Sequence, residues 1–337
     1  MPKSNFQDLT FQDRREALVV AQRKSRRHEF LLEKDFWVVA TLQSLFDAPF
    51  GNHLIFKGGT SLSKAWKAIS RFSEDIDITY DIRAFAPELV STADDEAFPP
   101  SRSQEKRWTK AIRRKLSMWV DDIARATVRE TLESKGYEVE IQADENLLLV
   151  QYESLFEVTD FVLPEVKVDF GARSTGEPHE VMSVSCDAAP YLPEVAFPEA
   201  RPTTMLATRT FWEKATAMHV YCKQQKHKGE RLSRHWYDLV RLDHAGIAMR
   251  ALKDRTLALN VAKHKSIFFS EKDTHGKRIN YEDAVTGHLQ LVPTSDTFEL
   301  LKHDYEKMLA VGMLNDETTT FEELIERCSD LEARANR

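Results

Sequence analysis

The chain has 337 residues, 42% of them hydrophobic and 30% charged, so it can bury one or two ordinary cores and is not disordered as a whole. No apolar run reaches the roughly 18 residues of a membrane span, and the first residues lack the apolar segment of a signal peptide, so we expect a cytoplasmic protein without a membrane partner. The net charge of −7 argues against nucleic-acid binding, and three scattered cysteines without a C-x-x-C pair argue against disulfides or zinc.

The first part of the chain is predicted to alternate helices and strands. Apolar residues recur at helical spacing over 11–47, and a short buried strand follows at 54–56. Gly58-Gly59 predicts a turn, after which the pattern favours a helix over 60–70 and a strand over 76–80. The predicted order is therefore strand, glycine turn, helix, strand.

The remaining pattern predicts further strands and then a helical region. Residues 82–103, rich in Pro, Ala, Ser and Asp, are predicted to form a mobile loop before a long helix over 104–135. Strands are predicted at 137–141, 147–152 and 166–170, the first two as a hairpin that extends the sheet. After a proline-bearing connection, helices are predicted at 207–226, 233–253, 255–264 and 296–332. We therefore expect two domains, 1–200 and 201–337, with the second mainly helical and closing a cleft.

The positive charges are concentrated in three clusters despite the acidic total. The clusters are Arg23, Lys24, Arg26 and Arg27; Lys106, Arg107, Lys110, Arg113, Arg114 and Lys115; and Lys223, Lys226, Lys228, Arg231 and Arg234. Any single cluster is typical of a solvated helix face. Three together make a polyanionic partner a reasonable hypothesis.

Two carboxylates stand at alternate positions of the predicted strand at 76–80. In Asp75-Ile76-Asp77-Ile78, alternation sends the isoleucines into the core and both acids to the other face. Carboxylates placed in this way can hold a pair of metal ions, and oxygen ligands favour Mg²⁺. The D-x-D pattern alone is also common at exposed strand edges.

The glycine turn predicts a phosphate site close to these acids. Gly58, Gly59 and Thr60 at the start of a helix let the backbone approach a phosphate, with Thr60 or Ser61 adding a hydroxyl. The spacing matches neither G-x-x-x-x-G-K-[ST] nor G-x-G-x-x-G, so P-loop and dinucleotide sites are set aside. A glycine turn followed within one helix by two acids suits a nucleoside triphosphate with a divalent metal.

These segments resemble the AbiEii/AbiGii toxin family of bacterial nucleotidyltransferases, which belongs to the DNA polymerase β superfamily. The similar segments are Glu33-Lys34-Asp35-Phe36-Trp37, Lys57 to Lys64, Arg71 to Ile78, Glu213-Lys214, Arg234 to Leu239 and, more loosely, Asp304-Tyr305 and Met308. The resemblance implies an α+β fold with a polymerase-β-type mixed sheet, flanking helices and a mainly helical C-terminal domain. It also implies a third metal-binding carboxylate from a later strand. We assign that role to Asp169 beside Asp75 and Asp77, with Glu165 as the substitute.

The resemblance further implies the remaining site residues. Lys214 is expected to face the triphosphate, where an ammonium group can neutralise developing charge, and Asp238 is expected to be required. The nucleotide-binding set is Lys57, Gly58, Gly59, Thr60, Ser61, Lys64, Arg71, Ser73, Lys214 and Arg234. By spacing, Asp238 could orient Arg234 or form an ordinary helix salt bridge.

The expected activity is transfer of a nucleoside monophosphate from an NTP, with Mg²⁺ or Mn²⁺, to an acceptor. The resemblance implies a cytoplasmic bacterial toxin with a cognate antitoxin, or a role in phage defence, and tRNA as the acceptor. Modification of the tRNA 3′ end would stop translation and growth. Alternatives left open by the sequence are a protein or small-molecule hydroxyl as acceptor, and a non-catalytic protein that binds nucleotide.

Overall fold

The computed structural model of the chain describes residues 3–90, 97–157, 163–225, 231–314 and 319–337. The strands are β1 (Ser4–Asn5), β2 (Leu54–Lys57), β3 (Ile76–Asp81), β4 (Val139–Asp144), β5 (Leu147–Tyr152), β6 (Glu165–Ser174), β7 (His179–Val181), β8 (Val184–Ser185), β9 (Val195–Ala196), β10 (Glu199–Ala200) and β11 (Thr203–Met205). The helices are α1 (Phe11–Ser25), α2 (Glu29–Phe46), α3 (Gly58–Lys64), α4 (Ile82–Phe85), α5 (Pro87–Val90), α6 (Arg102–Trp119), α7 (Arg125–Ser134), α8 (Ala207–Gln224), α9 (Arg234–His244), α10 (Ile247–Lys253), α11 (Arg255–Phe268), α12 (Ser295–Ala310) and α13 (Phe321–Ala335). A π-helical segment, Val120–Ala124, joins α6 to α7.

The chain forms two compact units. Unit 1 comprises Met1–Ala65, Ser73–Thr92 and Arg107–Met205. Unit 2 comprises Trp66–Phe72, Ala93–Lys106 and Leu206–Arg337. Unit 2 therefore includes two short segments that precede residue 200. No change of composition in the sequence indicates that these segments belong to it.

Unit 1 is built on a seven-stranded mixed sheet with strand order β4-β5-β6-β3-β2-β11-β7. β3 pairs with β6, and β2 with β11, in parallel, whereas the other neighbours are antiparallel. The predicted hairpin of β4 and β5 is confirmed, with Glu145 and Asn146 between the strands. β11 lies just after the proline-bearing connection and was not predicted, because three residues give too short an alternation to detect.

Strand alternation in unit 1 follows the sequence prediction. Ile76 and Ile78 of β3 are fully buried, and β6 alternates between half-buried and buried residues along its whole length. On the buried face, the Trp119 indole packs edge-on against Tyr80 and Phe170, with ring centroids 5.2 and 5.3 Å apart. The other face of β3 and β6 therefore carries their polar side chains.

Two local predictions in this half of the chain were wrong. The predicted helix over 60–70 ends at Lys64, because the following residues turn into unit 2, where the Phe72 N–H donates to the Met313 carbonyl oxygen at 3.0 Å. The predicted loop over 82–103 contains α4 and α5 and the first residues of α6. Its central part, 91–96, lies outside the described residues, as do Lys226 and Lys228 of the third basic cluster.

Unit 2 is helical in the part that the structure describes. Trp212 of α8 and Trp236 of α9 are fully buried, and their indole N–H groups donate to the carbonyl oxygens of Ala251 and Leu291 at 3.0 and 2.7 Å. The helix predicted over 233–253 is divided into α9 and α10 at Gly246, whose φ is +70°. The predicted fold class, a mixed sheet with flanking helices and a mainly helical C-terminal region, is confirmed.

Two further expectations concern membranes and cysteines. None of the helices in the described part of the chain combines the length and apolar character that a membrane span requires. Cys186, Cys222 and Cys328 are all free and buried, in agreement with the absence of a disulfide framework.

Candidate active site

Three charged residues lie side by side across neighbouring strands of the unit 1 sheet. Asp77 of β3 is in register with Asp169 of β6 on one side and with Lys57 of β2 on the other. Neighbouring strands are about 4.8 Å apart, so residues in register on one face bring their side chains into contact range. The two acids and the lysine thus form one row on the polar face of the sheet.

Asp169 is fixed by a hydrogen bond and lies close to a second negative charge, that of Asp77. Its Oδ1 accepts a hydrogen bond from Asn146 Nδ2 at 2.8 Å. Burial raises the pKa of Asp169, the Asp77 charge raises it further, and Lys57 and the Asn146 hydrogen bond oppose the shift. Two carboxylates that repel each other in a half-buried site form a donor set that a cation would stabilise.

The other acids of the prediction lie farther along the strands. Asp75 is one residue before β3, and its carbonyl oxygen accepts a hydrogen bond from Thr60 Oγ1. Glu165, the alternative third carboxylate, lies four positions before Asp169 on β6, which corresponds to about 13 Å along the strand. The register therefore brings Asp169, and not Glu165, beside Asp77.

Gly58 lies directly against the Asp77 carboxylate. Its φ is +79°, a left-handed conformation that favours glycine, and a Cβ placed there would overlap Asp77 Oδ2 and lie 2.7 Å from Asp77 Cγ. Gly58 and Gly59 form the first turn of α3 and not a separate turn before it. α3 has only seven residues, so its dipole is small. A phosphate at Gly58 would therefore gain more from close contact with the backbone than from the helix dipole.

The predicted hydroxyl groups stabilise this local structure. Thr60 Oγ1 lies 2.9 Å from Ser73 Oγ, and Ser61 Oγ donates to the Gly58 carbonyl oxygen at 2.9 Å. Thr60 and Ser61 are fully buried, whereas Ser73 is half-buried. The structure therefore gives Thr60 and Ser61 bonds within the fold, and their proposed contact with phosphate stays a prediction.

Lys64, predicted to bind nucleotide, lies in an ion-pair cluster. Its Nζ is 2.5 Å from Asp35 Oδ1 and 2.6 Å from Asp187 Oδ1. Asp187 also binds Arg27, and its backbone N–H donates to Asp35 Oδ2 at 2.6 Å. No motif or spacing in the sequence points to Asp187, which is remote from Asp35 and Lys64 in the chain.

The upstream segment Glu33-Lys34-Asp35 supplies three buried charged groups to unit 1. Lys34 Nζ lies 2.6 Å from Glu74 Oε2, next to Asp75 in the chain, and donates to the Leu163 carbonyl oxygen at 3.0 Å. Glu33 accepts hydrogen bonds from the Leu155 N–H and the Ser154 hydroxyl. The segment connects α2 to Glu74, just before β3, and to the connection between β5 and β6.

The remaining predicted residues belong to unit 2 and form a buried ionic cluster there. The Asp238 carboxylate binds Arg71 through two hydrogen bonds of 2.7 and 2.8 Å, and its Oδ2 lies 2.8 Å from Lys214 Nζ. Burial would raise the pKa of Asp238, but the charges and hydrogen bonds of Arg71 and Lys214 together hold it below its ordinary value. Two cations share one carboxylate, so the cluster carries a net charge of +1.

Arg234, the last predicted nucleotide-binding residue, begins α9 and is half-buried. Both Asp238 oxygens bind Arg71 and Lys214 instead. The prediction that Asp238 orients Arg234 was therefore wrong. The segment before α9 is fixed by Asp304, whose carboxylate accepts hydrogen bonds from the Arg231 and Ser233 N–H groups at 2.6 and 2.8 Å.

A metal ion fits the carboxylate row with the help of a substrate. In the described residues, no three His, Cys, Asp or Glu side chains converge tightly enough to hold a metal by themselves. Mg²⁺ is commonly bound by one or two carboxylates together with substrate phosphates. Asp77 and Asp169 are two such carboxylates, and the raised pKa of Asp169 indicates the excess negative charge that a cation would offset.

Two solved structures resemble the chain over most of its length. MenT4, a nucleotidyltransferase toxin from Mycobacterium tuberculosis H37Rv, is 17% identical, with 95% of this chain and 99% of that chain covered and a TM-score of 0.40. A protein from H. pylori assigned as a nucleotidyltransferase is 14% identical, with coverage of 92% and 96% and a TM-score of 0.42. These low values support no conclusion about activity. None of the curated proteins matches the chain significantly.

A family model gives the decisive match. The model described as nucleotidyl transferase AbiEii toxin, type IV toxin–antitoxin system, matches residues 40–327. The matched span contains the carboxylate row, Gly58 and the Arg71–Asp238–Lys214 cluster, although it begins after Glu33-Lys34-Asp35. The resemblance found in the sequence is confirmed, and the chain belongs to the AbiEii family of nucleotidyltransferase toxins.

Proposed function

We propose that this protein transfers a nucleoside monophosphate from an NTP to the 3′ end of tRNA, with release of pyrophosphate. One observation carries the proposal: Asp77 and Asp169 lie in register on adjacent strands, with Lys57 on the next strand and Gly58 against the Asp77 carboxylate. This arrangement puts two metal-binding carboxylates, a cation and a closely approachable backbone in one place. Phosphoryl-type transfer requires these elements more than any covalent nucleophile.

Each residue of the row has a distinct task in this proposal. Lys57 and the backbone of Gly58 and Gly59 hold the phosphates of the NTP. Asp77 and Asp169 hold the metal, Mg²⁺ or Mn²⁺, with Asp75 as a further ligand. When bound, the ion supplies charge neutralisation on the phosphates.

The acceptor hydroxyl attacks the α-phosphorus of the NTP. A bond forms between the acceptor oxygen and that phosphorus, and the bond to the bridging oxygen between the α- and β-phosphates breaks, so pyrophosphate leaves. Asp169, one of the two carboxylates of the row, takes the hydroxyl proton. Lys214, held by Asp238, remains a predicted partner of the phosphates on the strength of the family resemblance.

The biological role follows from the proposed acceptor. A modified tRNA 3′ end cannot be aminoacylated, so translation and growth stop in the bacterial cytoplasm. The family description as a toxin of a toxin–antitoxin system supports an antitoxin partner. A role in phage defence is the other setting in which such growth arrest would serve the cell.

The test is direct labelling of an acceptor. The purified protein is incubated with total bacterial RNA, Mg²⁺ and each labelled NTP in turn, with Asp77→Asn as the control. Label on RNA of tRNA size, absent with the variant, is the expected result. Label on a protein or on a small molecule would show that tRNA is not the acceptor. The absence of transfer with every NTP would leave only a nucleotide-binding role.

A further inference from the structure

A basic pocket lies at the β4–β5 turn of unit 1, where Asn146 lines it. It has a volume of 550 Å³ and is lined by residues of α6, of the β4–β5 turn and of the second half of β6. Three of the described lining residues are arginines, Arg113, Arg114 and Arg173, and one, Glu145, is acidic. The pocket is therefore large enough for a nucleotide-sized group and carries a net charge of +2 on its walls.

Asn146 connects this pocket to the proposed reaction centre. It lines the pocket and also donates from Nδ2 to Asp169 Oδ1 at 2.8 Å. The Asn146 carbonyl oxygen in turn accepts the Phe170 N–H at 2.9 Å, which fixes the turn against β6. A ligand group in the pocket is thus separated from Asp169 by a single side chain.

The pocket and Gly58 flank the carboxylates on opposite sides. Asn146 directly precedes β5, Gly58 directly follows β2, and the sheet order is β5-β6-β3-β2. Three strand spacings, about 14 Å, therefore separate the two ends, with Asp169 and Asp77 between them. If the NTP phosphates occupy the Gly58 side, the Asn146 side is left for the acceptor.

The exposed face of α6 continues the positive charge away from the pocket. Arg107, Lys110 and Arg114 are exposed and stand at helical spacing i, i+3, i+7, so they share one face over about 10 Å. Lys115 is directed elsewhere, because its Nζ lies 3.5 Å from Glu88 Oε1 and donates to the Phe85 carbonyl oxygen. A row of guanidinium and ammonium groups at this spacing suits successive phosphates of a single strand.

We propose that Arg113, Arg114 and Arg173 bind the phosphates of an acceptor RNA strand, whose end they direct past Asn146 to Asp169. This proposal rests on the proposed nucleotidyl transfer and names the residues that position its acceptor. Contacts of this kind fix the register of the strand and carry little base specificity. The arginines are positioning residues, since they hold the strand and do not touch the reacting atoms.

The test measures RNA binding separately from transfer. All variants carry Asp77→Asn, so that no acceptor is consumed, and binding of a fluorescein-labelled single-stranded RNA is followed by anisotropy over a range of salt concentrations. The charge-matched control replaces Arg250, Lys253 and Lys277 by Gln, three exposed residues of unit 2. The first variant replaces Arg113, Arg114 and Arg173 by Gln. A second replaces only the exposed Arg113 and Arg114 by Gln, to guard against misfolding from a change at the half-buried Arg173, and a third replaces these two by Lys.

The expected result is a tenfold or larger rise in Kd for the triple Gln variant and a fall of about 2 in the slope of log Kd against log salt, since each phosphate contact on a single strand contributes about 0.7. The double Gln variant should show about two-thirds of that fall in slope, and the Lys variant should show none. With Asp77 restored, KM for RNA should rise while KM for NTP stays unchanged.

Binding and slope equal to the control would overturn the proposal even if the protein transfers nucleotide to RNA. Transfer to protein by the wild type, with no salt-dependent RNA binding, would overturn it as well. Failure of the proposed function can be told apart from failure of this proposal. If the wild type transfers no nucleotide, RNA binding can still be measured by anisotropy. Loss of RNA binding in the Gln variants would then still support the pocket as an RNA site.

Discussion

Asp77 and Asp169 lie side by side in the parallel register of β3 and β6, and the negative charge of Asp77 helps to raise the pKa of Asp169. Folding brings these like charges together, and the Asp77 charge disfavours ionisation of Asp169. Such an arrangement is stable when a cation or a shared proton offsets the repulsion. A divalent metal bound at the carboxylate row with an NTP would offset this repulsion.

The first prediction separates the two candidates for the third carboxylate. Asp169→Asn should lower kcat/KM for nucleotide transfer by at least about 100-fold, because it removes both a metal ligand and the proposed base. Glu165→Gln, on the same face of β6 but four positions away, should keep nearly full activity. Initial rates with labelled NTP measure both. Equal losses in the two variants would contradict the assignment of Asp169.

The second prediction concerns the contact between Gly58 and Asp77. Gly58→Ala should lower transfer about 100-fold, since its Cβ would displace the Asp77 carboxylate and a misplacement of about 1 Å can cost that much. Gly136→Ala is a matched control: its φ of +78° imposes the same backbone strain, but a Cβ there meets nothing within 4 Å. Both variants should lose about 1 to 2 kcal/mol in urea unfolding, and only Gly58→Ala should lose activity.

The third prediction addresses the Arg71–Asp238–Lys214 cluster. Asp238→Ala should reduce the free energy of unfolding by about 3 to 5 kcal/mol, because it leaves two buried cations without their carboxylate. The control, Asp243→Ala, removes an exposed ion pair with Arg334 and should cost about 1 kcal/mol or less. Chemical denaturation of the full chain provides the comparison. A small loss for Asp238→Ala would show that Arg71 and Lys214 find other partners.

The fourth prediction is a pH dependence caused by Glu33. Burial raises the pKa of Glu33 to about 7 from 4.5, against the opposing hydrogen bonds from Leu155 and Ser154. Between these two values the folded state binds more protons than the unfolded state, so this group lowers stability as pH rises from about 4.5 to 7. Glu33→Gln removes the effect, and its stability relative to wild type should increase across that window by up to about 3 kcal/mol.

Thermal or urea unfolding of both proteins at several pH values measures this difference. Titrating groups that the two proteins share contribute equally to both, so their effects cancel in the difference. Glu133→Gln, at an exposed position of α7, is the control for the loss of one negative charge. A difference between Glu33→Gln and wild type that does not change with pH would mean that Glu33 is ionised in the folded protein throughout the window.

Much of the local structure could be predicted because it depends on short-range patterns. Ile76 and Ile78 alternate with Asp77, which predicts both a strand and its buried face, and Gly58-Gly59 predicts a backbone that other residues cannot adopt easily. The helix over 60–70 was predicted too long. Its propensity is overridden after Lys64, where the chain enters the core of unit 2.

The sequence by itself determined the secondary structure around the site, the acidic and glycine motifs and the family, because these depend on residue type and spacing along the chain. Only the tertiary structure decided which distant residues meet. The sheet register brings Asp169 beside Asp77, a turn supplies Asn146, and Asp238 binds Arg71 and Lys214 from remote positions. Such partners are selected by strand pairing and by the need to satisfy buried charge, and neither leaves a periodic signal in the sequence.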